Sequence, residues 1–349
     1  MVGTQAVGVA WLNNKSILTL AALAISTKLF ASDPKPDQNN QPTNTCTTIS
    51  RGSGSELNNL NPKLQAILST LIRKIEQQDA KNFKELFHPR ARVKKDIGER
   101  IFSILSNRYG KKWDVSIFRV WMLQSPQKDK TPFDCKHTDG YLPVSRYGYD
   151  TQFFSILQIL GEKELGRIIV TTAETNKGMV ITGLHIQQWT HEGHDWVYWT
   201  EKGNKHISQN SLLDAYKSYD VAQKLLQAGD FIIYEYLPEI LKTRDSIYTQ
   251  VELVNKAKKD FKRDDVAYIG TTLNQEGTGL IIRLRLENEL PTDKLQTQCQ
   301  ILGKDMLKQQ WLSKGAGGIK CSFLLPEEDS NKDGKLGGLY YSQNDLKAR

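Results

Sequence analysis

The stretch GRIIVTTAETNKGMVITGLHIQQW, residues 166–189, sets two β-branched runs on either side of the turn tetrapeptide TNKG at 175–178. Runs of this composition separated by a short Asn/Gly turn read as neighbouring antiparallel strands. Working upstream, WDVSIFRVWML (113–123) and QFFSILQIL (152–160) have the same aromatic and β-branched character, and an insertion at 124–150 holding Cys135 separates them. Working downstream, WTHEGHDWVYW (189–199) places HEGHD where a tight turn belongs, with WVYW (196–199) as a final short strand.

Before the strands the period changes to that of helices. Asn61 can cap a helix whose first position suits Pro62, and Leu64, Ile67, Leu68, Leu71 and Ile75 then form one apolar stripe. AKNFKELFHP reads as a short helix stopped at Pro89, RARV as a short strand, and Asp96 with Glu99 as a capping-box start to a helix carrying Ile97, Ile101, Ile104 and Leu105.

The order helix, helix, short strand, helix, then mostly antiparallel strands resembles the NTF2-like (SnoaL-like) cone fold. LIRKIEQQDAKNFKELFHPRARV (71–93), with its Phe-His-Pro corner, is similar to the start of that family. The resemblance covers residues 57–202. It implies a curved sheet wrapped around helices, a pocket inside the cone where the family's enzymes keep acid–base groups, and a tendency to dimerise through the open sheet face.

Beyond the cone, SLLDAYKSYDVAQKLLQAGDF and IIYEYLPEILKTRDSIYTQVELVNKAKKDF predict a helical connector around Gly229-Asp230. GLIIRLRLE (279–287) alternates as a half-buried strand, and Thr292 can cap a helix with Leu295, Cys299, Leu302 and Met306 on one face. GGIKCSFLLP and GKLGGLYYS are strands joined by an acidic loop. The sequence therefore predicts an α+β chain: a signal peptide or N-terminal anchor at 1–31, a disordered tether at 32–55, an NTF2-like domain at 56–205, a helical connector at 206–264 and a C-terminal α/β module at 265–349.

The N-terminal apolar run in SILTLAALAISTKLFAS is too short to span a bilayer but suits the centre of a secretory signal. Residues 32–55 are rich in Pro, Asn, Gln, Thr, Ser and Gly. In an oxidising compartment the four cysteines allow three pairings. Cys299 with Cys321 is preferred for its short loop, which leaves Cys46 with Cys135. The expectation is an exported protein of the periplasm or cell envelope. No CxxC motif and no nucleic-acid motif occurs. The formal net charge of +8 gathers partly in HPRARVKK (88–95) and onward to Arg100, Arg108, Lys111 and Lys112. Residues 88–112 are thus a candidate contact for an anionic surface, against the plainer reading of a solvated basic face.

Candidate site residues follow. His191 and His194 lack helical spacing, because Gly193 lies between them, so HEGHD reads as an exposed hairpin tip rather than a metal site. By alternation His185 shares a face with Met179, Ile181 and Trp189, which makes it the acid–base candidate of the cone, with His88 at the Phe-His-Pro corner as the other. Trp113, Trp121, His185 and Trp189 are the candidate ligand pocket, weighed against plain core packing. Asp329, Asn331 and Asp333 match calcium-loop positions one, three and five, but the twelfth position is Tyr340 instead of Glu, so calcium is a weak candidate and no other cofactor is expected. These features favour a non-catalytic binding or scaffolding protein, its partner a small apolar ligand or an envelope protein, with a homodimer in view. An enzyme using His185 and a calcium-dependent adhesion or assembly protein are the alternatives.

Overall fold

A computed structural model describes residues 45–51, 60–91, 93–124, 133–135, 140–142, 149, 151–176, 178–227, 231–274, 277–312, 317–330 and 338–347. The N-terminal segment expected as a signal, the tether before Thr45, and Asn331 and Asp333 lie outside these residues. The chain is α+β, as its sequence predicts. Strands β1 (Thr45–Arg51), β2 (Trp113–Gln124), β5 (Thr151–Gly161), β6 (Leu165–Thr175) and β7 (Gly178–Gln188) form one antiparallel sheet in the order β1-β2-β5-β6-β7. Short strands β3 (Phe133–Asp134), β4 (Gly140–Leu142) and β8 (Ile233–Tyr234) make a small second sheet.

The expected tether is corrected at its C-terminal end, since residues 45–51 are a strand. TCTTISR is β-branched enough to pair along β2, and the Cys46–Cys135 disulfide fixes it there with a Cα separation of 5.4 Å. Of the predicted RARV strand, Arg90 and Ala91 lie instead in a 3₁₀ turn, Pro89–Ala91, consistent with proline's fixed φ.

One face of the large sheet is dry. Helix α1 (Pro62–Glu76), whose Asn61 side chain accepts the Lys63 N–H at 2.9 Å, buries Leu64, Leu68, Leu71 and Ile75. Helix α2 (Ile97–Tyr109) adds Ile101 and Leu105. They meet Val115, Leu157, Ile168 and Ile181 of the sheet in one continuous apolar core. Each fully buried aliphatic contributes about 1.5–3 kcal/mol by transfer.

Behind the opposite face helix α4 (Leu212–Leu226) packs with α3 (Trp196–Ser208), and α5 (Leu237–Val251) and α6 (Leu253–Phe261) follow in the same apolar cluster, α5 against α4 and α6 against the C-terminal strand Val266–Asn274. α3 overturns the predicted WVYW strand. Asp195 caps it, accepting the Tyr198 N–H at 3.1 Å, and this start signal outweighs the aromatic, β-like composition of the first turn.

The C-terminal module is a four-stranded sheet ordered β12-β11-β10-β9, built from β9 (Val266–Asn274), β10 (Gly277–Arg285), β11 (Ile319–Leu324) and β12 (Gly338–Tyr341). Helix α7 (Thr292–Lys308) crosses between the parallel β10 and β11, and α8 (Gln343–Lys347) closes the chain. Cys299 of α7 bridges Cys321 of β11 with a Cα separation of 5.8 Å, and no cysteine among the described residues is free.

Candidate functional site: the polar joints behind the sheet

Two β-bulges decide where the predicted site residues go. In β2 the pairing register with β5 shifts between Ile117 and Arg119, so Phe118 is an extra residue. Trp113 therefore packs in the dry core while Trp121 faces the opposite side, against Phe154. In β7 the register with β6 shifts at Thr182. Met179 and Ile181 belong to the dry core, as do Leu184 and Ile186, and His185 is turned to the other face. Its ring stacks on Phe231, centroids 5.7 Å apart. The site expected from simple alternation is corrected: Trp113 is separated by the sheet from Trp121, His185 and Trp189, and His185 does not point among the helices α1 and α2.

Gly183 shows how closely that outer face is covered. A Cβ there would stand 2.8 Å from the Phe231 ring and 2.8 Å from Thr171 Oγ1. Beside it, Arg167 donates to Gln187 Oε1 at 2.7 Å and lies over the Trp189 and Tyr234 rings. Gln187 in turn donates to the Leu225 carbonyl in the last turn of α4, which satisfies a helix-end acceptor that would otherwise be orphaned. Trp189 stacks edge-on with Phe118.

His88 is engaged at its corner. Its N–H donates to the Ile181 carbonyl at 2.8 Å, its Nδ1 accepts the Arg90 N–H at 3.1 Å, and its Nε2 lies 2.9 Å from the Tyr149 hydroxyl. The Phe-His-Pro corner thus docks onto β7 near its start, far along the strand from His185. In the basic segment, Arg108 donates to the Ile186 carbonyl, whereas Lys94, Lys95, Lys111 and Lys112 are exposed.

HEGHD is a tight two-residue turn. Glu192 and Gly193 have φ of 53° and 76°, and His191 and His194 exchange backbone hydrogen bonds of 2.8 and 3.0 Å. Positive φ at both central positions is the type I′ pattern. The exposed tip is half corrected: His194 is exposed and stacks on Tyr198, but His191 is completely buried. Its Nδ1 accepts from the Gln188 amide at 3.2 Å, which leaves the Nε2 proton for Thr278 Oγ1 at 2.9 Å. Thr278 opens β10. Its hydroxyl and its N–H both donate to Glu192 Oε1, at 3.2 and 3.0 Å. Glu164, itself buried, accepts from the Thr190 hydroxyl and the Glu192 N–H. This turn is therefore a joint between the large sheet and the C-terminal module. Burial pushes the His191 pKa below the ordinary imidazole value, against the pull of the Glu192 and Glu164 carboxylates.

A second joint escaped the sequence reading. β9, itself not singled out from sequence, is the edge of its sheet, and α4 covers that edge. Asp220 accepts from the Thr271 N–H at 2.9 Å and from the Thr271 hydroxyl at 2.7 Å, and Tyr216 donates to the Ile269 carbonyl at 3.3 Å. Capping an exposed strand edge in this way removes a template for unwanted pairing. Asp220 is also held by Lys224 and Arg244. Burial pushes its pKa up, but the two cations and Thr271 outweigh burial and hold it below the usual carboxylate range. Around it, burial drives Tyr268 up to about 12 and Tyr216 well above the ordinary phenol value. An Asp–Lys pair four apart on a helix reads as surface decoration in sequence; only the β9 edge gives it another role.

Among the described residues no group of three or more His, Cys, Asp or Glu is arranged to hold a metal ion. Asp329 is exposed, and the neighbouring Glu328 accepts the Leu325 N–H at 2.7 Å. No helix among the described residues is long and apolar enough to cross a membrane. A scan against protein-family models finds no match, and neither the curated proteins nor the solved structures contain one.

Proposed function

We propose that this chain is an exported, non-catalytic binding or scaffolding protein of the cell envelope, with an NTF2-like body carrying a C-terminal α/β module. The observation that carries the reading is the pairing of all four cysteines into two disulfides, each tying separate elements together. Such bonds persist in oxidising compartments. The scaffolding half of the reading is supported by the histidines, which serve three different joints: His88 at the corner, His185 against Phe231 and His191 against Thr278. Functional weight then falls on surfaces and partners.

The test is cross-linking in intact cells followed by native mass spectrometry of the purified protein. The proposal expects two oxidised disulfides and a stoichiometric envelope partner or retained small molecule. A chain with four reduced thiols overturns export. Turnover of a small substrate that is lost in His185→Ala, with folding retained, overturns the non-catalytic reading.

A further inference from the structure

Helix α3 begins with three consecutive large side chains on the surface. Val197 and Tyr198 are 40% and 38% exposed, and the half-buried Trp196 stacks on Tyr236, itself 48% exposed, with ring centroids 5.3 Å apart. Of the seven large apolar side chains exposed among the described residues, Val197, Tyr198 and Ile207 lie on α3 and Tyr236 abuts it. That concentration marks a surface with a use, since scattered exposed apolar residues need no explanation but clustered ones do. Lys202 completes the collar, its ammonium 4.3 Å from the Trp199 ring centroid and 5.8 Å from that of Tyr198.

The point where the chain enters the fold says what covers this collar. β1 begins at Thr45, and Cys46 is bonded to Cys135, directly after β3. β3 pairs with β4, β4 pairs with β8, and Tyr236 follows β8 by two residues. Each strand step is about 4.8 Å, so the N-terminal segment joins the body at the same small sheet that carries Tyr236. Residues 32–44 can reach at most about 45 Å from Thr45 when fully extended, and immediately before them lies the apolar run of SILTLAALAISTKLFAS. A segment of that character in or at a bilayer brings this end of the body to the lipid.

We propose that the α3 collar, Trp196, Val197, Tyr198 and Tyr236 with Lys202, seats in the headgroup layer of a phospholipid bilayer. Tryptophan and tyrosine place an apolar ring beside a polar edge and are enriched at that depth, while lysine extends its ammonium to the phosphates. The size of the patch favours lipid over protein. A stable protein interface buries about 1,200–2,000 Å², more than a collar of five side chains supplies, whereas at a bilayer a small apolar and cationic contact adds to a second anchor, here the N-terminal apolar run. The inference rests on the envelope reading, but its test does not require export.

The experiment is hydrogen–deuterium exchange of the full chain, with and without vesicles of phosphatidylcholine containing phosphatidylglycerol. The expected result is slowed exchange at residues 196–200 and 236–240 on adding vesicles. That protection should be lost in a Val197→Ser/Tyr198→Ser/Tyr236→Ser variant whose exchange elsewhere is unchanged. A control with Leu160→Ser and Ile301→Ser, apolar residues exposed elsewhere, should keep it. Protection confined to the first 31 residues overturns the proposal. So does protection that appears without lipid as protein concentration rises, which identifies a second copy as the occupant. If the collar fails while both disulfides are present in cells, the lipid contact alone is wrong and the export reading stands.

Discussion

The two faces of the five-stranded sheet are covered in different ways. Against α1 and α2 the contact is almost wholly apolar: Leu64, Leu68, Leu71 and Ile75 on one side, Val115, Leu157, Ile168 and Ile181 on the other. The opposite face also buries a large apolar cluster, but Arg167 and Gln187 are set into it at defined bonds, and His191 and Asp220 are buried at the joints that lead from it to the C-terminal module. The difference teaches what each face is for. Apolar burial is non-directional and tolerates repacking, so it holds helices down without specifying much else. Buried polar groups must be satisfied, so they fix one arrangement of the C-terminal module and make it depend on protonation.

The largest effect that would sharpen this contrast lies at Asp220. Asp220→Ala leaves Lys224 and Arg244 without their shared carboxylate and uncovers the Thr271 N–H, and should cost about 3–5 kcal/mol in denaturant unfolding. Leu68→Ala on the dry face should cost about 2–5 kcal/mol, with no change in how stability varies with pH. If Leu68→Ala altered the pH profile, the distinction between the faces would be broken. A smaller effect is expected from Thr278→Val, which removes the hydroxyl shared by His191 and Glu192, at about 1–3 kcal/mol.

The pH dependence has a definite sign. His191 is neutral in the folded chain and its pKa lies below the ordinary value of 6.5, so the unfolded chain binds the proton more readily. The stabilisation is complete above pH 6.5 and declines as the pH falls from there toward the folded-state value, with a slope of at most about 1.4 kcal/mol per pH unit. Glu192 and Glu164 oppose this decline, and Lys202 adds to it. His191→Gln should flatten the profile below pH 6.5, read by chemical denaturation at several pH values. An unchanged slope would remove His191 from the account. Asp220 acts in a separate window: its depressed pKa makes its contribution full above 3.8 and lost only in stronger acid.

Much of this architecture is legible in the sequence, and the failures share a cause. α1 and α2 follow from periodicity and the four long strands from β-branched and aromatic composition, while the Cys299–Cys321 disulfide follows from its short loop and Cys46–Cys135 from the two cysteines that remain. What periodicity cannot carry is a single inserted residue. Phe118 and Thr182 each shift the alternation by one, and that alone separates Trp113 from Trp121 and turns His185 away from Met179. WVYW reads as a strand by its aromatic composition, but the capping aspartate before it makes it the first turn of α3. β1 was hidden by its polar neighbours. The Asp220 joint had no signal at all, because it exists only where α4 meets the edge of β9.

Whether the polar face makes the two modules one unit is tested most directly by native-state hydrogen exchange at pH 7.5, followed through increasing denaturant in β6 and β10. The account predicts that the most protected amides of both strands open together, with one free energy and one denaturant dependence. Opening of β10 at lower free energy, while β6 stays closed, would contradict it.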